Sequence, residues 1–126
     1  MTELGIGIVG GGYMGKAHSV AMAAVGAVFG TALRPCLQMI AARSAETAEA
    51  YRADFGFLEA TDDWRVLVEN PKVEAVVIAS PQSTHRAIAE AAFALGKPVF
   101  CEKPLGATVE DSRAMVSAAE ASRWPR

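Results

Sequence analysis

Cysteine, surplus charge and long apolar runs are all scarce in this chain, and each scarcity removes a class of function. Cys36 and Cys101 are its two cysteines; they are too few for a disulfide framework and form neither a CxxC pair nor part of a zinc-ligand set. They read as two buried thiols in a reducing compartment, so the expected location is cytoplasmic and no metal site is expected. Lys and Arg number 12 against 14 Asp and Glu, a net charge of −2. Without a broad basic field, neither nucleic acid nor a membrane is an expected partner, and any phosphate binding must be local. The uncharged run from Ser19 to Leu33 is too short to cross a bilayer and is broken in pattern at Gly26, Gly30 and Thr31. Glu3 stands where a secretory signal would carry basic residues, so no targeting segment is expected. There is no internal repeat, low-complexity stretch or linker.

What is present is organised around Ile6-Gly7-Ile8-Val9-Gly10-Gly11-Gly12-Tyr13-Met14-Gly15. The apolar run from Leu4 to Val9 reads as a buried strand that breaks into G-x-G-x-x-G and leads into a helical pattern. In that context Gly10 supplies a tight turn, Gly12 has no Cβ to hold a pyrophosphate off the backbone, and Gly15 lets the helix pack closely on the strand. The helix start then aims free N–H groups and a positive dipole end at a phosphate.

The rest of the chain alternates strand and helix. The first helix is expected from near Met14 through Val20, Ala21 and Ala24, fading at Gly26 or Gly30, with Pro35 ending the connection. Leu37 to Ala41 reads as a strand, and residues 45–55 as a helix with Ser44 as N-cap and Gly56 as its left-handed stop. Phe57 to Ala60 suits a short strand. Thr61 is expected to cap a helix whose Asp62 and Asp63 suit the N-terminal dipole and which buries Trp64, Leu67 and Val68, with Asn70-Pro71 stopping it. Val73 to Ala79 is nearly all apolar, as in a strand covered on both faces. Ala87, Ile88, Ala91, Ala92 and Leu95 give the next helix a buried side, and Gly96 and Pro98 end it. Val99 to Cys101 is the fifth strand, and Thr108 caps a last helix with Met115, Val116 and Ala119 available for burial. This order predicts an α/β fold: a doubly wound, Rossmann-like parallel sheet of about five strands in a single domain. Residues 1–121 would form the dinucleotide-binding unit and residues 122–126 an irregular tail.

Ligands of open α/β sheets bind beyond the carboxyl ends of the strands. The candidates there are Gly10 to Gly15, Ala42-Arg43-Ser44, Ser80-Pro81-Gln82 with His85, and Glu102-Lys103-Pro104. NAD-type sites place an acid at the end of the second strand to accept from the ribose hydroxyls. Here Ala42 is followed by Arg43 and Ser44, so NADP(H) is the expected cofactor over NAD(H), with Arg43 drawing the 2′-phosphate and Ser44 adding a donor.

Gly10-Gly11-Gly12-Tyr13-Met14-Gly15-Lys16-Ala17-His18, Ala79-Ser80-Pro81-Gln82-Ser83-Thr84-His85 and Gly96-Lys97-Pro98-Val99-Phe100-Cys101-Glu102-Lys103-Pro104-Leu105 together resemble the N-terminal domain of the Gfo/Idh/MocA oxidoreductases. The likeness runs from residue 3 to 121, and its Glu-Lys-Pro step is more specific than the glycine turn. It implies NAD or NADP binding and redox chemistry on sugars, polyols or related carbonyl compounds. By resemblance, Gly10, Gly12, Tyr13, Met14 and Gly15 would border the pyrophosphate. Ser80, Pro81, Gln82 and His85 would line the path from adenosine to nicotinamide, and Glu102, Lys103 and Pro104 would sit beside the nicotinamide. Lys103 is the catalytic candidate, since the matching lysine helps polarise or protonate the reacting oxygen with a histidine from a second domain.

Plainer roles stand beside these. His85 could simply tie down its helix, and His18 reads as packing or solvated. Glu102 could mainly orient Lys103, and Trp64 and Trp124 read as packing residues. Family members carry a second α/β domain that supplies the substrate pocket, so a chain of 126 residues is expected to be a truncated or frame-shifted product that binds a dinucleotide without turnover. The alternative is a stand-alone nucleotide-binding or interaction module. On either reading the fifth strand of this chain would lack the sixth that normally flanks it, which predicts self-association or a partner chain.

Overall fold

The computed structural model describes residues 2–122, so Trp124 and all but the first residue of the expected tail lie outside the described residues. Five strands run parallel in the order β3-β2-β1-β4-β5. They are β1 (Thr2–Val9), β2 (Leu33–Ala41), β3 (Glu59–Thr61), β4 (Ala75–Ile78) and β5 (Val99–Cys101), joined through helices α1 (Tyr13–Phe29), α2 (Ala45–Phe55), α3 (Trp64–Glu69) and α4 (His85–Ala94), with α5 (Val109–Ala121) following β5. The chain leaves β1 toward β2 and β3, then crosses back to place β4 on the other side of β1. That reversal of strand order makes the crevice in which a Rossmann-type sheet holds its ligand.

Apolar residues of the sheet divide between two cores. Val9, Met39, Val76 and Ile78 pack with Leu67, Ile88 and Met115, whereas Ile6, Ile8, Ile40 and Val77 pack with Tyr51 and Phe57. Val76, Val77 and Ile78 thus serve opposite faces in turn, which is why β4 carries an unbroken apolar run. The ladder continues one step past the strand ends. Gly10 N donates to Ala41 O at 2.9 Å, Ala79 N to Val9 O at 2.8 Å and Glu102 N to Ile78 O at 2.9 Å, so each loop that carries candidate residues leaves from fixed backbone.

Local signals placed several ends well. Ser44 Oγ accepts from Thr47 N, Thr108 caps α5 by accepting from Asp111 N, and Gly56 and Gly96 are left-handed. Helix α1 stops at left-handed Gly30, the later of its two expected ends, and passes through Gly26, which is a packing position: a Cβ there would lie 2.4 Å from Arg34 Cδ. Other boundaries differ from expectation. Strand β2 begins at Leu33 and includes Pro35, which lies where β1 is the only neighbour, since β3 reaches only Met39–Ala41; a sheet edge tolerates proline. Strand β3 starts at Glu59, because Phe57 is spent plugging the core and Leu58 bonds Leu37 O alone.

The cap of α3 is Asp63, whose side chain accepts from Arg65 N, while Thr61 ends β3 and its hydroxyl accepts from Asp63 N. Leu95 is exposed because α4 ends at Ala94, and the turn swings Leu95 off the apolar side; Val116 is also exposed. Cys36 and Cys101 are free and half-buried, not fully buried. Burial, then the Glu102 charge, pushes the Cys101 thiol up to about 11. Among the described residues no helix is long and apolar enough to cross a membrane.

Candidate dinucleotide site

The glycine turn is shaped by backbone meeting backbone. Gly10 sits at φ +128°, and a Cβ there would lie 2.5 Å from the Ala79 carbonyl carbon. A Cβ on Gly15 would lie 2.3 Å from Gly10 O, so only glycine lets α1 come this close to the end of β1. At Gly12, by contrast, a Cβ would meet nothing within 4 Å. Its open side and the start of α1, where no side chain caps the helix, leave N–H donors facing outward. The loop is clasped from below by Tyr51 of α2, whose hydroxyl donates to Gly12 O at 2.6 Å; burial raises the Tyr51 phenol above its ordinary value.

Beyond the turn lies a cleft of about 680 Å³ lined by Gly10, Gly12, Arg43, Thr47, Asp62, Trp64, Ser80, Pro81 and Thr84 among others, a size within the usual range for small-molecule sites. Of the sequence candidates it therefore gathers Gly10, Gly12, Arg43, Ser80 and Pro81. Arg43 is exposed and makes no ion pair with a described residue. Thr84 Oγ1 donates to Pro81 O at 2.6 Å, which leaves Ser80 Oγ as the donor across the 2.7 Å contact between the two hydroxyls.

Several candidates stand elsewhere. Ser44 is not on the cleft wall, and its hydroxyl donates to Thr47 Oγ1 at 2.9 Å while accepting from Thr47 N, so the donor expected for a phosphate is occupied by the helix cap. Tyr13 and Met14 turn their side chains to solvent, at 83% and 41% exposure, and Gln82 is exposed at the start of a short 3₁₀ turn. His85 is 1% exposed. Its Nε2 lies 2.8 Å from Ser80 O, and its Nδ1 lies 3.1 and 3.0 Å from Pro104 O and Leu105 O. The plainer alternative thus describes its side chain: the imidazole joins the loop after β4 to the loop after β5 and presents no edge to a ligand.

At the end of β5, Lys103 and Pro104 are exposed, joined by a cis peptide bond, and Lys103 makes no ion pair with a described residue. Glu102 is engaged instead with His18 of α1, Nε2 to Oε1 at 2.8 Å, and the His18 ring meets Phe100 edge-on with centroids 5.2 Å apart. His18 is therefore neither simple packing nor solvated. Thr47, Asp62 and Tyr51 were not among the sequence candidates, and Trp64, read as packing, both packs on the core and walls the cleft. Asp62 had a visible signal, an acid just past a strand end, which the helix-dipole reading of Asp62-Asp63 absorbed. Among the described residues no three His, Cys, Asp or Glu side chains gather as a metal site would need.

Comparison with known proteins agrees with this geometry. The model of the oxidoreductase family with an NAD-binding Rossmann fold, GFO_IDH_MocA, matches residues 4–123. Levoglucosan dehydrogenase of Pseudarthrobacter phenanthrenivorans is 44% identical over 119 residues, covering 94% of this chain and 30% of that protein. An inositol 2-dehydrogenase of Agrobacterium fabrum is 39% identical over 113 residues, 90% of this chain and 32% of the relative. A solved levoglucosan dehydrogenase in complex with NADH and L-sorbose superposes with a TM-score of 0.93 at 42% identity, covering 97% of this chain and 33% of that one. The chain thus spans about a third of the length of the relatives it matches. With the glycine turn, the strand order and the Glu102-Lys103-Pro104 step all in place, the chain belongs to the Gfo/Idh/MocA oxidoreductase family, over its NAD-binding Rossmann domain.

Proposed function

We propose that residues 1–121 are the cofactor-binding part of an oxidoreductase acting on a sugar, polyol or related carbonyl compound, with NADP(H) preferred. The observation that carries the reading is the unobstructed face of Gly12 beside an uncapped helix start, in one cleft with Arg43, which makes no ion pair with a described residue. The pyrophosphate would lie against Gly12 and the first turn of α1, the 2′-phosphate against Arg43, and the nicotinamide toward Lys103. The nicotinamide, when bound, exchanges a hydride with the substrate carbon. Lys103 would polarise or protonate the reacting oxygen. The relatives' names, levoglucosan dehydrogenase and inositol 2-dehydrogenase, support a polyhydroxylated substrate.

Titration calorimetry with NADP⁺ and NAD⁺ tests the preference. A charge-assisted hydrogen bond from Arg43 contributes about 1.5–3 kcal/mol, so Arg43→Ala should lower NADP⁺ affinity roughly 10- to 150-fold and leave NAD⁺ nearly unchanged. A second reading, NAD(H), is favoured by Asp62 on the cleft wall, an acid able to accept from ribose hydroxyls and to repel a 2′-phosphate, and by the solved relative that holds NADH. Equal affinities would refute the NADP(H) preference, and tighter NAD⁺ binding with a loss confined to NAD⁺ in Asp62→Asn would decide for this second reading.

Self-association is a further part of the proposal. Strand β5 bonds β4 alone, and Phe100 on it is 55% exposed, the kind of edge that recruits another chain. Light scattering should show mass rising with concentration, and a monomer at every concentration would refute it.

A further inference from the structure

Helix α1 and the end of β5, 84 positions apart in the chain, meet through the side chains of His18 and Glu102. Glu102 uses both carboxylate oxygens: Oε1 takes the hydrogen bond from His18 Nε2 at 2.8 Å, and Oε2 accepts from the backbone N–H of Lys103 at 3.3 Å. A carboxylate only accepts, so Nε2 of His18 carries a proton. The His18 and Glu102 side chains are 14% and 19% exposed, and the edge-on contact with Phe100, at 68° between ring planes, fixes the plane of the imidazole. The ring is thus held by β5 on one side and by its own helix on the other. Among the described residues the Lys103 side chain has no such partner.

We propose that His18 is a positioning residue for Lys103: by holding one oxygen of Glu102 it keeps the other on the Lys103 N–H, and so sets the direction in which the lysine leaves the end of β5. This rests on the reading that Lys103 works at the nicotinamide end. It adds a physical link between the helix whose start faces the phosphates and the turn that carries the lysine. The electrostatics agree. The His18 hydrogen bond, acting against partial burial and helped by the Lys103 N–H, holds the Glu102 carboxyl below its ordinary range. The titratable groups facing this carboxylate are His18, Lys103 and the Cys101 thiol. Because the carboxyl is depressed, its ionised form and both bonds persist above its titration and are lost as pH falls through it.

Amide hydrogen exchange and ¹⁵N–¹H spectra of the 126-residue chain, recorded without nucleotide, test the link. In His18→Ala, the Lys103 amide should exchange roughly 10-fold faster, while amides of Ile40 and Val77 at the sheet centre keep their parental rates. The pH at which the Lys103 resonance follows Glu102 should move up. His18→Phe, which keeps a ring against Phe100 but cannot donate, should behave like His18→Ala. Glu102→Ala should accelerate Lys103 exchange as much, and combining it with His18→Ala should add nothing, since both remove one bridge. An unchanged Lys103 amide and midpoint in the His18 variants would overturn the proposal. So would additive effects in the double variant, or equal acceleration at Ile40 and Val77, which is general loosening. Because no nucleotide is present, a chain that bound no dinucleotide would sink the proposed function and leave this result standing.

Discussion

Gly12→Ala is expected to fold like the parent and lose dinucleotide affinity, whereas Gly10→Ala is expected not to fold. The two positions stand in one turn, yet a methyl group meets opposite surroundings. At Gly10 it would enter a left-handed conformation and press on the Ala79 backbone at 2.5 Å, where both neighbours are strand ends that cannot yield. That combination places the cost above about 4 kcal/mol, a large share of a domain's stability. At Gly12 the backbone is extended, φ −94° and ψ −167°, and the space is empty. Losing a good N-cap residue costs about 0.5–1 kcal/mol, and stiffening the unfolded chain returns about 0.4–1 kcal/mol. These cancel, and the melting temperature should stay within about 3 °C. The methyl group would stand where the proposed pyrophosphate approaches. Removing one charge-assisted N–H bond corresponds to roughly 10- to 150-fold weaker binding. Calorimetry and thermal unfolding of the two variants separate the effects. Parental affinity in Gly12→Ala would remove the central support for the proposed function.

The second large effect is expected at His85. Carbonyl oxygens only accept, so whichever ring nitrogen carries a proton donates to Ser80 on one side or to Pro104 and Leu105 on the other. The side chain is also among the largest fully buried ones. His85→Ala would empty that volume and leave the three carbonyls without an imidazole donor, at a cost of about 2–5 kcal/mol. Thermal unfolding should show a fall of about 10 °C or more, with hydrogen exchange rising first at residues 102–106. A fall under about 3 °C would mean that water replaces the ring and that the imidazole is not what joins the two loops.

The contrast between His85 and Leu95 shows what was legible in the sequence. The alternation of strands and helices was carried by apolar runs and periodicity, and the helix caps at Ser44 and Thr108 and the stops at Gly56 and Gly96 depend on bonds within one turn, so such signals are written in neighbouring residues. Leu95 fits the apolar periodicity of α4, but the helix ends one residue earlier, and no spacing rule carries across that turn. The distant pairs are harder still. Tyr51 meets Gly12 across 39 positions and His18 meets Glu102 across 84, contacts set by strand register and by how each helix lies on the sheet. A histidine in a helix and a tyrosine on an apolar face carry no local mark of either. The shape of the Gly-x-Gly-x-x-Gly turn was readable because it resides in neighbouring residues, and the Glu102-Lys103-Pro104 step marked the family for the same reason. Arg43 stands out by directly following a strand, whereas Asp62, also just past a strand end, is masked by its fit to a helix dipole.

The Tyr51 clasp has a consequence for exchanging parts between relatives. Arg43 opens the segment that continues as α2, and the same helix carries, two turns on, the hydroxyl that holds Gly12 O. A graft that replaces the end of β2 and the start of α2 to alter cofactor choice therefore imports a new hinge for the glycine loop. Shortening or lengthening that segment by one residue would rotate the tyrosine about 100° around its helix and take the hydroxyl away from the loop. On the proposed role of Arg43, cofactor selectivity and loop shape form one mechanical cassette, and a redesign would have to exchange them together or keep the helical phase between residue 43 and residue 51.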